Sequence, residues 1–243
     1  MEHVLMKHMD DLEYQKLEAL AEFAAGAGHE INNPLAIISG RTKMLLQEIE
    51  HPEHRRHLAI ISAQVHRAYE MIADIRFFAK PPAPEWKEFC LTEELKTLVE
   101  EQNPLMEENE VSFHADIESP EESLVWSDPV LLHLAVSILC NNARESVAFS
   151  QGRIWLRLQQ TESGWEITVQ DNGQGVSDEI RPLIFNPYYS GRSAGRGLGF
   201  GLPKAWRIMQ LLGGSIRHEP TSIFILSLPN APPTAEPPGD NGL

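Results

Sequence analysis

From Asp11 to Glu50 the apolar residues recur with a helical, nearly heptad rhythm. One line runs through Leu17, Ala24, Ile31, Ile38 and Leu45, and a second through Ala21, Gly28, Leu35, Thr42 and Ile49. The pattern breaks at His51-Pro52, a natural stop and restart for a helix. It resumes with Leu58, Val65, Ile72 and Ala79, flanked by Ile61, Ala68 and Ile75. Two long helices joined by a short turn predict an antiparallel hairpin. A lone hairpin leaves an apolar stripe uncovered, and a second copy completes a four-helix bundle. The expected state is therefore a homodimer.

Pro81-Pro82-Ala83-Pro84 ends the helical region and reads as a linker. Beyond it the texture is mixed. Val111–Ile117 and Ser123–Trp126 read as strands, and Asp128-Pro129 opens a helix that runs to about Phe149, with Asp as cap and Pro at the first helical position. Arg153–Gln159 and Trp165–Gln170 alternate like a hairpin around Glu162-Ser163-Gly164. A helix from about Leu202 to Leu212 stops at Gly213-Gly214, and Ile223–Leu228 reads as a last strand. The fold class is thus α followed by α/β: a helical hairpin over residues 1–80, a linker at 81–85, a mixed domain over 86–230 and a Pro-rich, polar tail over 231–243 that is expected to be disordered.

Charge narrows the list of partners. The chain has 35 acidic against 20 basic residues, a formal net charge of −15. That balance argues against nucleic acid and anionic membrane surfaces, which need clustered Lys and Arg. It leaves room for one small anionic ligand held by a few local donors. Cys90 and Cys140 form no metal-ligand spacing, and two cysteines make no disulfide framework. No apolar run approaches the ~20 residues that span a bilayer, and the N-terminus lacks a signal-peptide layout. The expectation is a cytoplasmic chain, or the cytosolic part of a larger protein.

Candidate chemistry begins at Gly28-His29-Glu30-Ile31-Asn32-Asn33-Pro34-Leu35. With Ile31 on an apolar line, His29 falls on the outward face of its helix. A lone outward histidine is by default a solvated surface residue. Zinc is disfavoured, because Asn33 replaces the second histidine of His-Glu-x-x-His. Glu30 can orient the imidazole and accept its proton, and Asn33 at i+4 can position a water or a phosphoryl group. Asn141-Asn142-Ala143 lies inside an otherwise apolar helix, where an amide costs stability unless it is satisfied; its oxygen also suits Mg²⁺. Asp171-Asn172-Gly173-Gln174-Gly175 follows a predicted strand and is either a plain turn or a site where Asp171 accepts from an exocyclic amine such as adenine's, with Gly173 and Gly175 admitting the base. Gly195 to Leu202 alternates glycines (Gly197, Gly199, Gly201 among them) and leads straight into a helix, an arrangement that offers N–H groups to phosphate. No strand leads into these glycines and no Gly-Lys-Ser/Thr follows, so neither a dinucleotide fold nor a P-loop fits. Arg192 and Arg196 are further candidates for phosphate contacts.

In this order the segments resemble the catalytic core of a two-component sensor histidine kinase: a HisKA-type dimerisation and phosphoacceptor hairpin, then a GHKL (Bergerat) ATP-binding α/β sandwich with a mixed sheet. His29 to Leu35 looks like the H box, Asn142-Ala143 the N box, Asp171 to Gly175 the first glycine box, Phe185-Asn186-Pro187 the F box, and Gly197 to Leu202 (with Leu198 between the glycines) the second. The resemblance implies that ATP lies over Asp171, that Asn142 holds Mg²⁺, and that the γ-phosphoryl group passes to Nε2 of His29 with Glu30 as base. It would then reach an aspartate of a response-regulator receiver domain, with Asn33 supporting the reverse, phosphatase reaction. Departures are Ile138 in place of the first Asn of the N box, Glu145 where some relatives carry Lys, Phe200 in place of Leu, and Gly28 in place of Ala. The rivals are a GHKL ATPase, which would need a Glu where Ile138 stands, and an inactive dimeric scaffold.

Overall fold

A computed structural model describes residues 11–118, 123–147, 151–187, 189, 199–220 and 222–230; within the first helix, side chains are described for Glu22, Gly26, Gly28 and from Glu30 onward. The chain forms two compact units that part between Pro82 and Ala83.

The first unit is a pair of helices, α1 (Asp11–Glu48) and α2 (Pro52–Ala79), packed along their length. The turn forms where the sequence places it: His51 is extended (φ −63°, ψ 121°) and Pro52 takes the first helical position of α2. Helix α1 has no basic residue in its own last turn. Arg55 of α2 supplies the cation instead, its Nη1 donating to the carbonyls of Leu46 at 2.5 Å and Ile49 at 2.9 Å, which covers acceptors that the helix end leaves open. The two apolar lines of α1 have different fates. Gly28 and Thr42 are buried, and a Cβ placed on Gly28 would meet Ile72 Cγ2 of α2 at 3.0 Å. Ile31, Ile38 and Leu45 stay 42–45% exposed, and Ile61 of α2 is 43% exposed. One line closes the hairpin; the other leaves an apolar stripe on it.

The second unit begins with β1 (Lys87–Cys90) and α3 (Leu91–Glu108), then β2 (Ser112–Asp116), β3 (Leu124–Ser127) and α4 (Pro129–Ser146). There follow β4 (Arg153–Thr161), β5 (Gly164–Asp171), a 3₁₀ turn at Arg181–Leu183, α5 (Gly201–Leu211), β6 (Ser215–Glu219) and β7 (Ile223–Pro229). A five-stranded sheet has the order β2-β4-β5-β7-β6; β2 and β4 are parallel and every other pair is antiparallel. It is the mixed sheet expected. Alternate residues (Ile154 and Leu156, Ile167 and Val169, Phe224 and Leu226) are buried, and α4 and α5 pack on the sheet and on each other, with α3 against α4. A separate antiparallel pair, β1–β3, carries Ser123 at its edge. Ser123 Oγ accepts from the amide of Thr92 at 2.9 Å and so caps α3 from across that pair, because Cys90 at the cap position gives no side-chain bond there.

Four elements differ from the sequence reading. Strand β1, helix α3 and strand β6 were not expected, and α4 stops at Ser146 instead of near Phe149, with Val147 closing it through a bond to the Ala143 carbonyl. The Asp128-Pro129 start is as expected and does more than cap: Oδ1 accepts from Leu131 N at 3.0 Å while Oδ2 accepts from Glu85 N at 2.7 Å. The tail at 231–243, expected to be disordered, lies outside the described residues.

Candidate active site

At the end of β5 the sheet delivers Asp171 into the interior, where it is 4% exposed. A buried carboxylate has to be hydrogen-bonded. Oδ1 accepts from the amide of Gly173 at 2.8 Å, and the hydroxyls of Ser146 and Ser222 also bond to it. Burial nevertheless wins, and the Asp171 carboxyl is held above the usual aspartate range, the three hydrogen bonds pulling the other way. Neither serine stood out in the sequence. Ser146 lies one helical turn beyond Asn142 and is findable by that spacing; Ser222 arrives from the turn between β6 and β7, with no local signal.

The neighbouring residue has a different task. Asn172 is exposed, its Oδ1 accepting from Arg153 N at 2.7 Å and its Nδ2 donating to the Gln151 carbonyl at 3.0 Å, so it fastens the loop to the start of β4. At Gly173 the volume of a Cβ is already taken by Ser146 Oγ and Asp171 Oδ1, so this glycine serves the packing of the loop itself. Gly175 lies in the left-handed region at φ 71°.

Helix α4 ties these parts together. Ile138, Asn142 and Ser146 are half-buried and spaced four apart, hence on one face. Ser146 meets Asp171 at one end. At the other, a Cβ built on Gly201 would lie 3.5 Å from Ile138 Cγ2, so Ile138 sits beside the first residue of α5. Asn142 falls midway along a face of about 12 Å, eight residues at 1.5 Å each. The start of α5 is preceded by Gly199 at φ 71°, whose close approach to the Tyr189 backbone excludes any side chain there. Phe200 at the cap position is buried and makes no side-chain cap bond, Leu202 occupies the first turn, and Pro203 brings no N–H. Phe200 thus gives the first-turn amides of α5 no side-chain cap, and the N-terminal end of a helix suits an anion. Arg192, Arg196, Gly197 and Leu198 lie outside the described residues.

In the first unit, His29 lies in α1, and Glu30 and Asn33 on the same helix are exposed. Pro34 is inside the helix and has no N–H to give the Glu30 carbonyl. No helix among the described residues is long and apolar enough to cross a membrane.

Comparison with known proteins places both units. Residues 19–84 match the model of the His Kinase A (phospho-acceptor) domain, and residues 127–232 that of the histidine kinase-, DNA gyrase B- and HSP90-like ATPases. Among curated proteins the chain is 28% identical over 207 residues to the signal transduction histidine-protein kinase AtoS of Escherichia coli, covering 84% of this chain and 33% of that one. It is 29% identical over 214 residues to sporulation kinase D of Bacillus subtilis, covering 85% and 40%. The chain thus spans well under half the length of these two relatives. Among solved structures, full-length ShkA in complex with AMPPNP aligns with a TM-score of 0.72 at 22% identity over 88% of this chain and 47% of that one. The histidine kinase ThkA, solved in complex with the response regulator TrrA, aligns at 0.66 and 21% over 91% and 65%. At these identities the likeness is one of fold. The two domain matches, in this order on one chain, settle the family: this chain belongs to the two-component sensor histidine kinases and carries their catalytic core, a phosphoacceptor hairpin followed by an ATP-binding α/β domain.

Proposed function

We propose that this core, acting as a homodimer, transfers the γ-phosphoryl group of ATP to Nε2 of His29 and then to an aspartate of a response-regulator receiver domain. The observation that carries the nucleotide end of this reading is the single face of α4 that runs from Asp171 through Asn142 to the start of α5. Asp171 would accept the exocyclic amine of adenine, and the amides at the start of α5 would meet the phosphates. Asn142 lies between them, half-buried, with a neutral hard oxygen of the kind Mg²⁺ takes when phosphates and water complete its shell. Bound there, Mg²⁺ would neutralise phosphate charge. Arg192 and Arg196 are proposed as further phosphate contacts.

At the acceptor end, Glu30 takes the imidazole proton and Asn33 serves the reverse reaction on the phosphorylated regulator. The proposed dimer covers the stripe of Ile31, Ile38, Leu45 and Ile61 that the single hairpin leaves exposed. Most of the rate enhancement then comes from positioning and charge neutralisation rather than covalent help from the protein.

The test is incubation with γ-labelled ATP and Mg²⁺. The expected product is an acid-labile, base-stable label on the protein that is missing from His29→Gln. Label surviving in that variant, or free phosphate released with no labelled protein, overturns the reading.

A further inference from the structure

Two side chains of α2 close on the turn of α1 that carries His29. The Tyr69 hydroxyl donates to the backbone carbonyl of Asn32 at 3.3 Å across the hairpin, and both residues are half-buried. Three residues on, and so on the same face of α2, Ile72 fills the space beside Gly28: a Cβ there would meet Ile72 Cγ2 at 3.0 Å. Ile72 is β-branched and stiff at χ1, so it yields little. Gly28 and Asn32 are four apart and bracket His29 within one turn. This is also where α1 is weakest, since Pro34 leaves the Glu30 carbonyl without its helical donor and Asn32 Oδ1 is buried without a hydrogen-bond partner among the described residues.

We infer that Tyr69, with Ile72 beside it, is a positioning residue for phosphoryl transfer: it fixes the height and rotation of the α1 turn that presents His29. The inference rests on the reading of His29 as phosphoacceptor. Neither residue belongs to the motifs that mark the family in this sequence. The mechanism is a backbone one. A turn that has lost one rung of its ladder is less firmly held, and an in-line transfer loses rate when the acceptor nitrogen is misplaced, on the order of 100-fold for 1 Å. The Tyr69 hydroxyl restrains the far side of the turn, and the Gly28–Ile72 contact restrains the near side.

The experiment uses the full chain and two readouts. Tyr69→Phe keeps the ring and removes the hydroxyl. Its kcat for His29 labelling is expected to fall about 3- to 10-fold with KM for ATP unchanged, and amide hydrogen exchange over residues 28–33 to quicken by a similar factor. Gly28→Ala, a better helix former, is expected to slow labelling as its methyl pushes on Ile72 Cγ2, and Gly28→Ala with Ile72→Ala, which removes that methyl, to recover it. Unchanged exchange in Tyr69→Phe overturns the positioning role whatever the activity. Quickened exchange with an unchanged kcat also overturns it. Quickened exchange in a protein whose wild type takes no His29-dependent label overturns the kinase reading, and the positioning role falls with it.

Discussion

The amide of Gly173 donates to Oδ1 of Asp171 at 2.8 Å, so the loop that follows β5 is folded back onto the carboxylate that ends the strand. Ser146 and Ser222 complete the enclosure, and burial raises the carboxyl's pKa against all three bonds. For a group raised in this way, the stability it contributes is full below the unfolded value, about 4, and is lost as the pH rises through the folded pKa. Burial therefore works against the ionised form of Asp171, and the folded state loses stability as the carboxyl gives up its proton. Asp171→Asn is expected to melt no earlier than the wild type at pH 7 without nucleotide, while losing ATP affinity by roughly 10- to 100-fold, the worth of a charged hydrogen bond. Calorimetric titration and a melting curve on the same sample check both halves.

Asn172 should behave in the opposite way. Its two bonds, to Arg153 N and the Gln151 carbonyl, hold the loop without facing Asp171's partners. Asn172→Ala is expected to cost about 1–2 kcal/mol, a fall of several degrees in Tm for a domain of this size. At a temperature where the variant is folded, ATP affinity should stay within about twofold of the wild type.

Asp128 caps α4 and also receives the amide of Glu85, and it is buried. Removing it loses a cap and strands a donor, so Asp128→Ala is expected to lower the stability of the ATP-binding unit by about 2–4 kcal/mol. Asp128→Asn keeps one acceptor and should fall between the two. Urea unfolding followed by tryptophan fluorescence gives both numbers.

Ile38 is 43% exposed on the uncovered stripe of the hairpin. A carboxylate there cannot be buried against a second copy without a large desolvation cost. Ile38→Glu is expected to convert a dimer into a monomer in light scattering, with ATP affinity unchanged because the proposed nucleotide site draws its described residues from the second unit alone.

How legible the fold was depended on how long each pattern ran. The heptad lines from Leu17 to Ile49 and from Leu58 to Ala79 repeat often enough to place both helices, and Asp128-Pro129 marks the start of α4 to the residue. Helix α3 has a sound buried line at Leu91, Leu95, Leu98 and Met106, but Gln102 interrupts it and Pro104 sits inside the helix, which together mask it. Strand β1 is four residues long with Lys87 and Glu88 exposed, and β6 buries only Ile216, so neither alternates for long enough to read. At the candidate site, Asn142 and Asp171 draw notice in the sequence because each is a polar residue set against apolar neighbours in its own helix or strand. Ser222 was not: it reaches Asp171 through the pairing of distant strands and sits at φ 65°, which nothing local announces.

Ile138 bears on what happens to a nucleotide that has bound but not yet reacted. It stands beside Gly201, one turn before Asn142, and its side chain is hydrocarbon only. A methyl group has no lone pair with which to take a proton from water, so Ile138 itself cannot act as a general base there. On the proposed reading, ATP held against α4 is kept in reserve rather than spent on solvent, and the cost of waiting for the histidine is occupancy instead of fuel. On that same reading the core can stay loaded while idle, and labelling of the histidine waits on the acceptor rather than on the donor.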